Sequence, residues 1–369
     1  GFDYAEKLFQ DGFYDLAVEE YKTFINENPQ DRRVEGAYEK LIASYYHLEK
    51  WNMVLTEGNR FLQRYDKSQA MGDILFYIAS ALKESGMKKQ ALETAEKVRR
   101  FYKSTPLYTD NLFLAASLYR DEGLDDEYIK AMQEIINLNP CGGNLKKAYL
   151  SLLDYSYSRG EMDKAGRYLD KLDEKDLDPG KWLWYKADVA FGRREYDQAL
   201  KEYQGLMSRY PESEYYYRAL YGKGRVYMEK KAFSEAVAAF QSLLDKNPNS
   251  TMADDALKGK AEALLALNRR EDAAKEIDYF MKAYADSPLY PDVVRMALEI
   301  EKGKRGWDDE KIAALFDQLT GFYRSRQSEA DVKRVLLEKA SVFEEGGLYR
   351  QAVNALLDYI TFFPRDTQV

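Results

Sequence analysis

Four stretches of the sequence decide the fold: Gly12-Phe13-Tyr14-Asp15-Leu16-Ala17-Val18, Arg194-Glu195-Tyr196-Asp197-Gln198-Ala199-Leu200, Lys231-Ala232-Phe233-Ser234-Glu235-Ala236-Val237 and Gly347-Leu348-Tyr349-Arg350-Gln351-Ala352-Val353. Each reads as a tight turn, an aromatic residue, and the first turn of a helix with a small residue facing inward. Aligning the chain on that small position gives Ala17, Val54, Ala91, Tyr128, Ala165, Ala199, Ala236, Ala273, Ile312 and Ala352. Successive intervals are 37, 37, 37, 37, 34, 37, 37, 39 and 40 residues. A period of this length marks a repeat architecture, in which each unit is one supersecondary element.

Every repeat holds two helical periods. In the second helix of repeat seven, Ala236, Val237, Phe240, Leu243 and Leu244 share one face; in the first, Leu220, Gly224, Val226 and Tyr227 oppose them. Strand alternation is absent. The nine prolines, at 29, 106, 140, 179, 211, 248, 288, 291 and 364, are expected between the second helix of one repeat and the first of the next. Inside a helix each would cost ~3 kcal/mol or more. The same junctions carry Asp31, Ser68, Thr105, Ser213, Ser250 and Ser287, whose side-chain oxygens can accept an orphan backbone N–H.

Composition narrows the functions open to such a chain. Of 369 residues, 45% are hydrophobic and 32% charged, with 31 tyrosines, which suits a folded array. The longest apolar stretch, Ile74 to Leu82, is bounded by Asp73 and Lys83 and is too short to span a membrane. A net charge of −8 disfavours nucleic acid, and the groove of a helical-repeat RNA reader would need to be basic. One cysteine, Cys141, excludes an internal disulfide; one histidine, His47, excludes a multi-histidine metal site. No catalytic, cofactor or metal site is therefore expected. The sequence opens at Gly1 without an initiator methionine, as a fragment or processed form would.

The pattern resembles the tetratricopeptide (TPR) repeat over essentially the whole chain. Repeat one matches through Gly12, Tyr14, Ala17, Tyr21, Phe24 and Pro29. Repeat six matches through Ala187, Tyr196, Ala199, Tyr203 and Pro211, and repeat seven through Gly224, Tyr227, Phe233, Ala236, Phe240 and Pro248. Leu183, Leu220 and Leu257 replace the family's early tryptophan; repeats two, five and nine are degenerate, with Gly58 in an aromatic position. The resemblance implies an all-α superhelical solenoid of about ten helix pairs. It is expected to be one domain over 1–369, with weak joints near 140–144, 173–181 and 302–306. Junctions such as Pro211-Glu212-Ser213 and Pro248-Asn249-Ser250 are similar to those of bacterial envelope TPR proteins, among them the outer-membrane β-barrel assembly lipoprotein and the Tol–Pal-associated periplasmic protein.

Several side chains suggest chemistry, each with a plainer reading. The pairs Asp125-Asp126, Asp254-Asp255 and Asp308-Asp309 open helices, where carboxylates meet the positive end of the dipole. Lys302 to Arg305 reads as a solvated turn. Tyr221-Gly222-Lys223-Gly224 lacks phosphate-loop spacing, so Gly224 is expected to allow close helix packing. Cys141 sits in a junction, and His47 ends a first helix as a surface residue.

The stronger signal is a three-column stripe along the first helices. The leading column reads Phe76, Phe113, Leu150, Trp184 and Tyr221. The middle one includes Ser80, Ser117, Asp154, Asp188, Arg225 and Glu262, and the last Tyr157, Phe191 and Met228. Aromatic anchors among polar groups suit a protein-binding groove. The family's carboxylate clamp would need an asparagine where Asp154, Asp188 and Arg225 stand, so another mode of peptide binding is expected. The expected function is a non-catalytic scaffold for protein segments in a bacterial envelope assembly, periplasmic or outer-membrane-associated, with a cytoplasmic setting as the alternative. A regulatory segment of a larger enzyme or secretion machine, or a subunit of a multi-protein ring, would use the same fold.

Overall fold

The computed structural model describes residues 1–138, 142–304 and 306–366; Pro140, Cys141 and Arg305 lie outside them. Among the described residues the chain is all-α, with twenty α-helices and one short 3-10 turn at Glu174–Asp176. It divides into two compact units, Gly1–Asp173 and Glu174–Val369. The division falls between Asp173 and Glu174, where the 3-10 turn begins.

Unit 1 holds five antiparallel pairs: α1 (Phe2–Gln10) with α2 (Tyr14–Glu27), α3 (Val34–His47) with α4 (Trp51–Arg64), α5 (Met71–Glu84) with α6 (Lys88–Phe101), α7 (Tyr108–Asp121) with α8 (Asp125–Leu138), and α9 (Asn144–Ser158) with α10 (Met162–Leu169). Unit 2 holds five more: α11 (Pro179–Gly192) with α12 (Tyr196–Arg209), α13 (Tyr216–Glu229) with α14 (Phe233–Lys246), α15 (Ala253–Ala266) with α16 (Arg270–Ala283), α17 (Tyr290–Lys302) with α18 (Asp309–Ser325), and α19 (Glu329–Glu345) with α20 (Tyr349–Phe362). Helix α10 spans only eight residues, in line with a degenerate fifth repeat.

The turn inside each pair is built by one backbone conformation. Five residues before the small position, φ is positive in nine of the ten repeats: Gly12, Glu49, Gly86, Gly123, Gly160, Arg194, Lys231, Asn268 and Gly347. Each residue closes a Schellman motif. Thus Gly12 N–H donates to the Phe9 carbonyl and Phe13 N–H to that of Leu8; Lys231 and Ala232 donate likewise to Met228 and Tyr227. Four of these positions are not glycine, and a side chain in this region strains the backbone.

The junctions between pairs use the side chains that sequence marks. Asp31 Oδ1 accepts Arg33 N–H at 2.8 Å, Ser68 Oγ accepts Ala70 N–H at 3.0 Å, and Ser213, Ser250 and Ser287 repeat the bond two residues on, at 3.1–3.2 Å. Thr105 behaves differently: its hydroxyl donates to the buried Asp73 carboxylate of the preceding repeat. Ser287 makes the equivalent bond to Asp254, at 2.7 Å. Six of the nine prolines stand outside helices, as the spacing predicts, and Pro140 lies outside the described residues. Pro179 and Pro291 instead lie in the first turns of α11 and α17. No intrahelical donor is lost there, because first-turn N–H groups have no carbonyl to bond.

Small residues let the paired helices approach. Ala5, Ala17, Ala91, Ala187, Ala199, Ala236 and Ala273 have no exposed surface. A Cβ on Gly224 would meet the Phe240 ring at 2.4 Å, and one on Gly222 the Tyr203 ring at 2.3 Å, so both glycines are packing positions. The degenerate second repeat is completed by its neighbour: Ile78 fills the space where Gly58 lacks a side chain. In the turn after α17, Lys302 pairs with Glu299 at 3.0 Å and Lys304 with the buried Glu301 at 2.8 Å.

Two measurements check this register. Ala199→Glu or Ala236→Glu places a carboxylate where no solvent reaches, and each should lower stability by about 3 kcal/mol in denaturant titration. Lys231→Gly should act oppositely, raising stability by up to ~1 kcal/mol through relief of the left-handed backbone.

Candidate partner-binding surface

In unit 1 the first helices present a stripe of rings above a charged border. Phe76 on α5 is only 5% exposed. Tyr46 from α3 and its own neighbour Tyr77 cover it, at 5.8 and 5.6 Å between ring centres. Phe113 on α7 is half-buried, and the Lys147 ammonium of α9 stands 4.4 Å from its centroid. Leu150 and Tyr157 on α9 are half-buried, and Asp154 between them is exposed.

A recess of about 470 Å³ opens on this stripe. Tyr46, Trp51, Phe76 and Phe113 supply its rings, and Glu49, Lys83, Glu84, Asp110 and Lys147 its charges. Burial pushes the Tyr46 phenol up, and the Asp110 and Glu84 carboxylates add to the shift. Among the described residues, Glu49, Glu84 and Asp110 make no ion pair. The recess therefore keeps three uncommitted carboxylates beside aromatic surface.

Several recess residues that the three columns omit stand in register with them. Tyr46 and Lys83 continue the last column, three repeats and two repeats before Tyr157. Asp110 and Lys147 stand one helical turn before Phe113 and Leu150. Extending the same 37-residue register along the chain and by one turn finds all four. Trp51 comes from the start of a second helix, which no first-helix column can reach.

Unit 2 treats the equivalent positions differently. Trp184 on α11 is 9% exposed, packed between Tyr185 at 4.8 Å and Tyr215 at 5.4 Å, with the Arg218 guanidinium 5.4 Å from its ring. Asp188 is buried and accepts the Tyr203 hydroxyl at 2.6 Å. It also pairs with Arg225, one repeat on, at 3.4 Å. Arg225 in turn lies 4.1 Å over the Phe191 ring. Tyr221 packs against Phe240 at 5.8 Å, and burial, reinforced by the Asp255 charge, pushes its phenol up to about 12. Met228 packs on the core around Phe240 and Leu243.

Phe76, Trp184 and Asp188 are thus structural members of their own units, where sequence offers them as partner-facing anchors. The physical reason is local. Tyrosines at 46 and 215 reach across from adjacent segments to cover the rings, and a tyrosine at 203 claims the carboxylate. The bond from Tyr203 to Asp188 has a counterpart in repeat one, where the Tyr21 hydroxyl donates to Glu6 at 2.5 Å from the same repeat positions.

Other marked residues have structural partners. Asp125 pairs with Arg159 at 2.8 Å, Asp308 caps α18 by accepting Lys311 N–H at 3.0 Å, and Asp309 accepts from Gln351 at 2.7 Å. His47 is exposed and stacks on Tyr14, 4.3 Å between centres. Among the described residues, no group of three or more His, Cys, Asp or Glu is arranged to hold a metal, and no helix is long and apolar enough to cross a membrane.

Comparisons with known proteins agree with the repeat reading. Residues 186–251 match the family model described as tetratricopeptide repeat. The chain is 22% identical over 210 residues to the TPR repeat-containing protein YpiA of Bacillus subtilis (strain 168), covering 56% of this chain and 46% of that protein. The match thus spans under half of the relative's length. Among solved structures, a tetratricopeptide repeat protein from Parabacteroides merdae ATCC 43184 is 17% identical, with a TM-score of 0.41 over 70% of this chain and 96% of its own. PilW, a type IV pilus biogenesis factor, is 14% identical, with a TM-score of 0.45 over 61% and 98%.

Replacing Trp184 and Tyr221 together by alanine should lower stability by about 3 kcal/mol or more, because both rings are packed rather than presented. A thermal melt that stays put would show that the rings carry little of the core.

Proposed function

We propose that this tetratricopeptide-repeat array is a non-catalytic scaffold that holds a segment of another protein against the inner face of unit 1. The observation that carries the reading is the recess between α3, α5, α7 and α9. It combines ring surface from Tyr46, Trp51 and Phe113 with the unpaired carboxylates of Glu49, Glu84 and Asp110. Half-buried aromatic residues anchor a ligand's apolar side chain, and the three carboxylates outnumber Lys83 and Lys147 in the same recess. The fitting segment has an apolar side chain for the rings and a Lys or Arg for the carboxylates. Phe113, Leu150, Asp154 and Tyr157 extend the surface from the recess along α7 and α9. In unit 2, Tyr221, Arg225, Phe191 and Met228 offer partial surface and serve chiefly to interlock their repeats.

The compartment we propose is the bacterial envelope, supported by the Pro-x-Ser junctions at 211–213 and 248–250. Cell fractionation checks it: recovery with soluble cytoplasmic markers would favour the cytoplasmic alternative.

Binding is checked at the recess itself. Glu84→Lys with Asp110→Lys alters charges that support no packing, so melting should stay within about 0.5 kcal/mol of the parent. Retention of native partners on the immobilised protein should fall at least tenfold, and in the parent it should weaken with added salt. Undiminished capture by the folded double variant would move the binding face elsewhere.

A further inference from the structure

The first helices of successive repeats meet through pairs of residues thirty-four apart. Phe113 holds the Lys147 ammonium at 4.4 Å, and Trp184 the Arg218 guanidinium at 5.4 Å. The Tyr221 hydroxyl reaches Asp255 at 3.5 Å, and Lys258 pairs with Asp292 at 4.0 Å. Each of these pairs joins complementary chemistry. In unit 1 the same spacing sets Glu39 of α3 against Asp73 of α5, carboxylate against carboxylate.

Both acids are held back from bulk water. Asp73 is 7% exposed, and Glu39 is half-buried. Burial pushes the Glu39 carboxyl up; Lys40 opposes the shift, and the Asp73 charge adds to it. Burial likewise pushes the Tyr77 phenol up, with the Asp73 and Glu39 charges reinforcing it. Little in the protein offsets the two charges. Asp73 Oδ1 takes both of its donors, the Thr105 hydroxyl and the Leu107 N–H at 3.0 Å, which leaves Oδ2 without one. Glu39 accepts no hydrogen bond among the described residues, and Lys40 stands 3.8 Å from it, against the Phe9 ring.

The two acids line one hollow of about 560 Å³ between the junctions 68–70 and 101–106. Ser68, Ser104 and Thr105 add hydroxyls, and Phe101 adds a ring that is 66% exposed. Among the described residues, no Lys, Arg or His lines it. The free oxygen of a nine-tenths-buried carboxylate therefore borders a cavity that supplies acceptors and no cation. Such a charge is costly until a donor meets it. The volume is that of a small-molecule site rather than of a bare ion, and among the described residues no three acids are arranged for a metal. An ammonium brings three N–H donors and no acceptor, which matches two carboxylates bordered by hydroxyl oxygens.

We propose that this hollow binds an alkylammonium group, with its N–H donors on Glu39 and Asp73 Oδ2 and its aliphatic stem along Phe101. A free diamine and a lysine side chain both carry that group. The site shares no lining residue with the recess around Tyr46 and Trp51 and does not depend on it. Removing one acid acts in opposite directions on fold and ligand: it relieves the repulsion and takes away the charge that the ammonium meets.

Titration calorimetry with 1,4-diaminobutane, with Nα-acetyl-lysine N-methylamide and with neutral 1,4-butanediol tests the assignment. At least one amine should bind saturably and the diol should not; the tighter amine identifies the source. Glu39→Gln should weaken amine binding at least about tenfold while the melting temperature holds or rises. Saturating amine should raise the melting temperature of the parent and not of this variant. Asp73→Asn keeps an acceptor for Thr105 and should weaken binding by a similar factor; if it fails to fold, Glu39→Gln decides. Glu84→Lys with Asp110→Lys should leave amine binding within about threefold of the parent, whatever it does to partner capture at the recess. The proposal is overturned by equal binding of the diol, by no saturable binding of either amine, or by full amine affinity in folded Glu39→Gln. Loss of binding in the Glu84→Lys, Asp110→Lys variant, or calcium that takes the site and excludes the amines, would overturn it as well.

Discussion

The left-handed residue that closes each helix pair is the constraint on which the array depends. It fixes where the first helix ends and, five residues later, which side chain starts the inward face of the second. Because Ala199, Ala236 and Ala273 have no exposed surface, a shift of one residue at that turn would bring Gln198 or Leu200, Glu235 or Val237, and Asp272 or Ala274 into those contacts. Helix pairing, the packing glycines at 222 and 224, and the columns of the inner face all inherit their phase from this turn.

Tyrosine gives the pairs their second means of agreement. A phenol from the second helix donates to an acid in the middle of the first at Tyr21–Glu6 and Tyr203–Asp188. Related bonds join Tyr38 to Glu57 and Tyr108 to Glu134 at 2.7 and 2.5 Å. A buried carboxylate is tolerated when such a donor meets it, and is costly when one is removed. Core chemistry thus accounts for at least these four tyrosines.

Much of this architecture is legible in the amino-acid sequence. The repeat phase, the ten helix pairs, the capping residues of the junctions and the roles of Gly224 and the paired aspartates all follow from local rules that act over a few residues. The division near residue 173 falls where the second helix of repeat five is cut short. The inner-face columns share one phase, yet sequence alone does not sort them by exposure. Whether Trp184 points to solvent depends on Tyr215, thirty-one residues later, and whether Asp188 is available depends on a tyrosine in the partner helix. A single-helix pattern carries neither fact. Trp51 escapes the pattern for a related reason: it reaches the recess from the opening turn of a second helix.

The strained turns are unevenly placed. Arg194, Lys231 and Asn268 follow one another in three consecutive repeats, whereas unit 1 has only Glu49 of this kind. Each repeat touches little beyond its neighbours, so backbone strain of ~1 kcal/mol per turn stays where it arises and is not shared along the array. Repeats six to eight are each less stable by that amount than a glycine at the same turn would leave them. Pulled from its ends, the second unit is expected to yield first within those repeats.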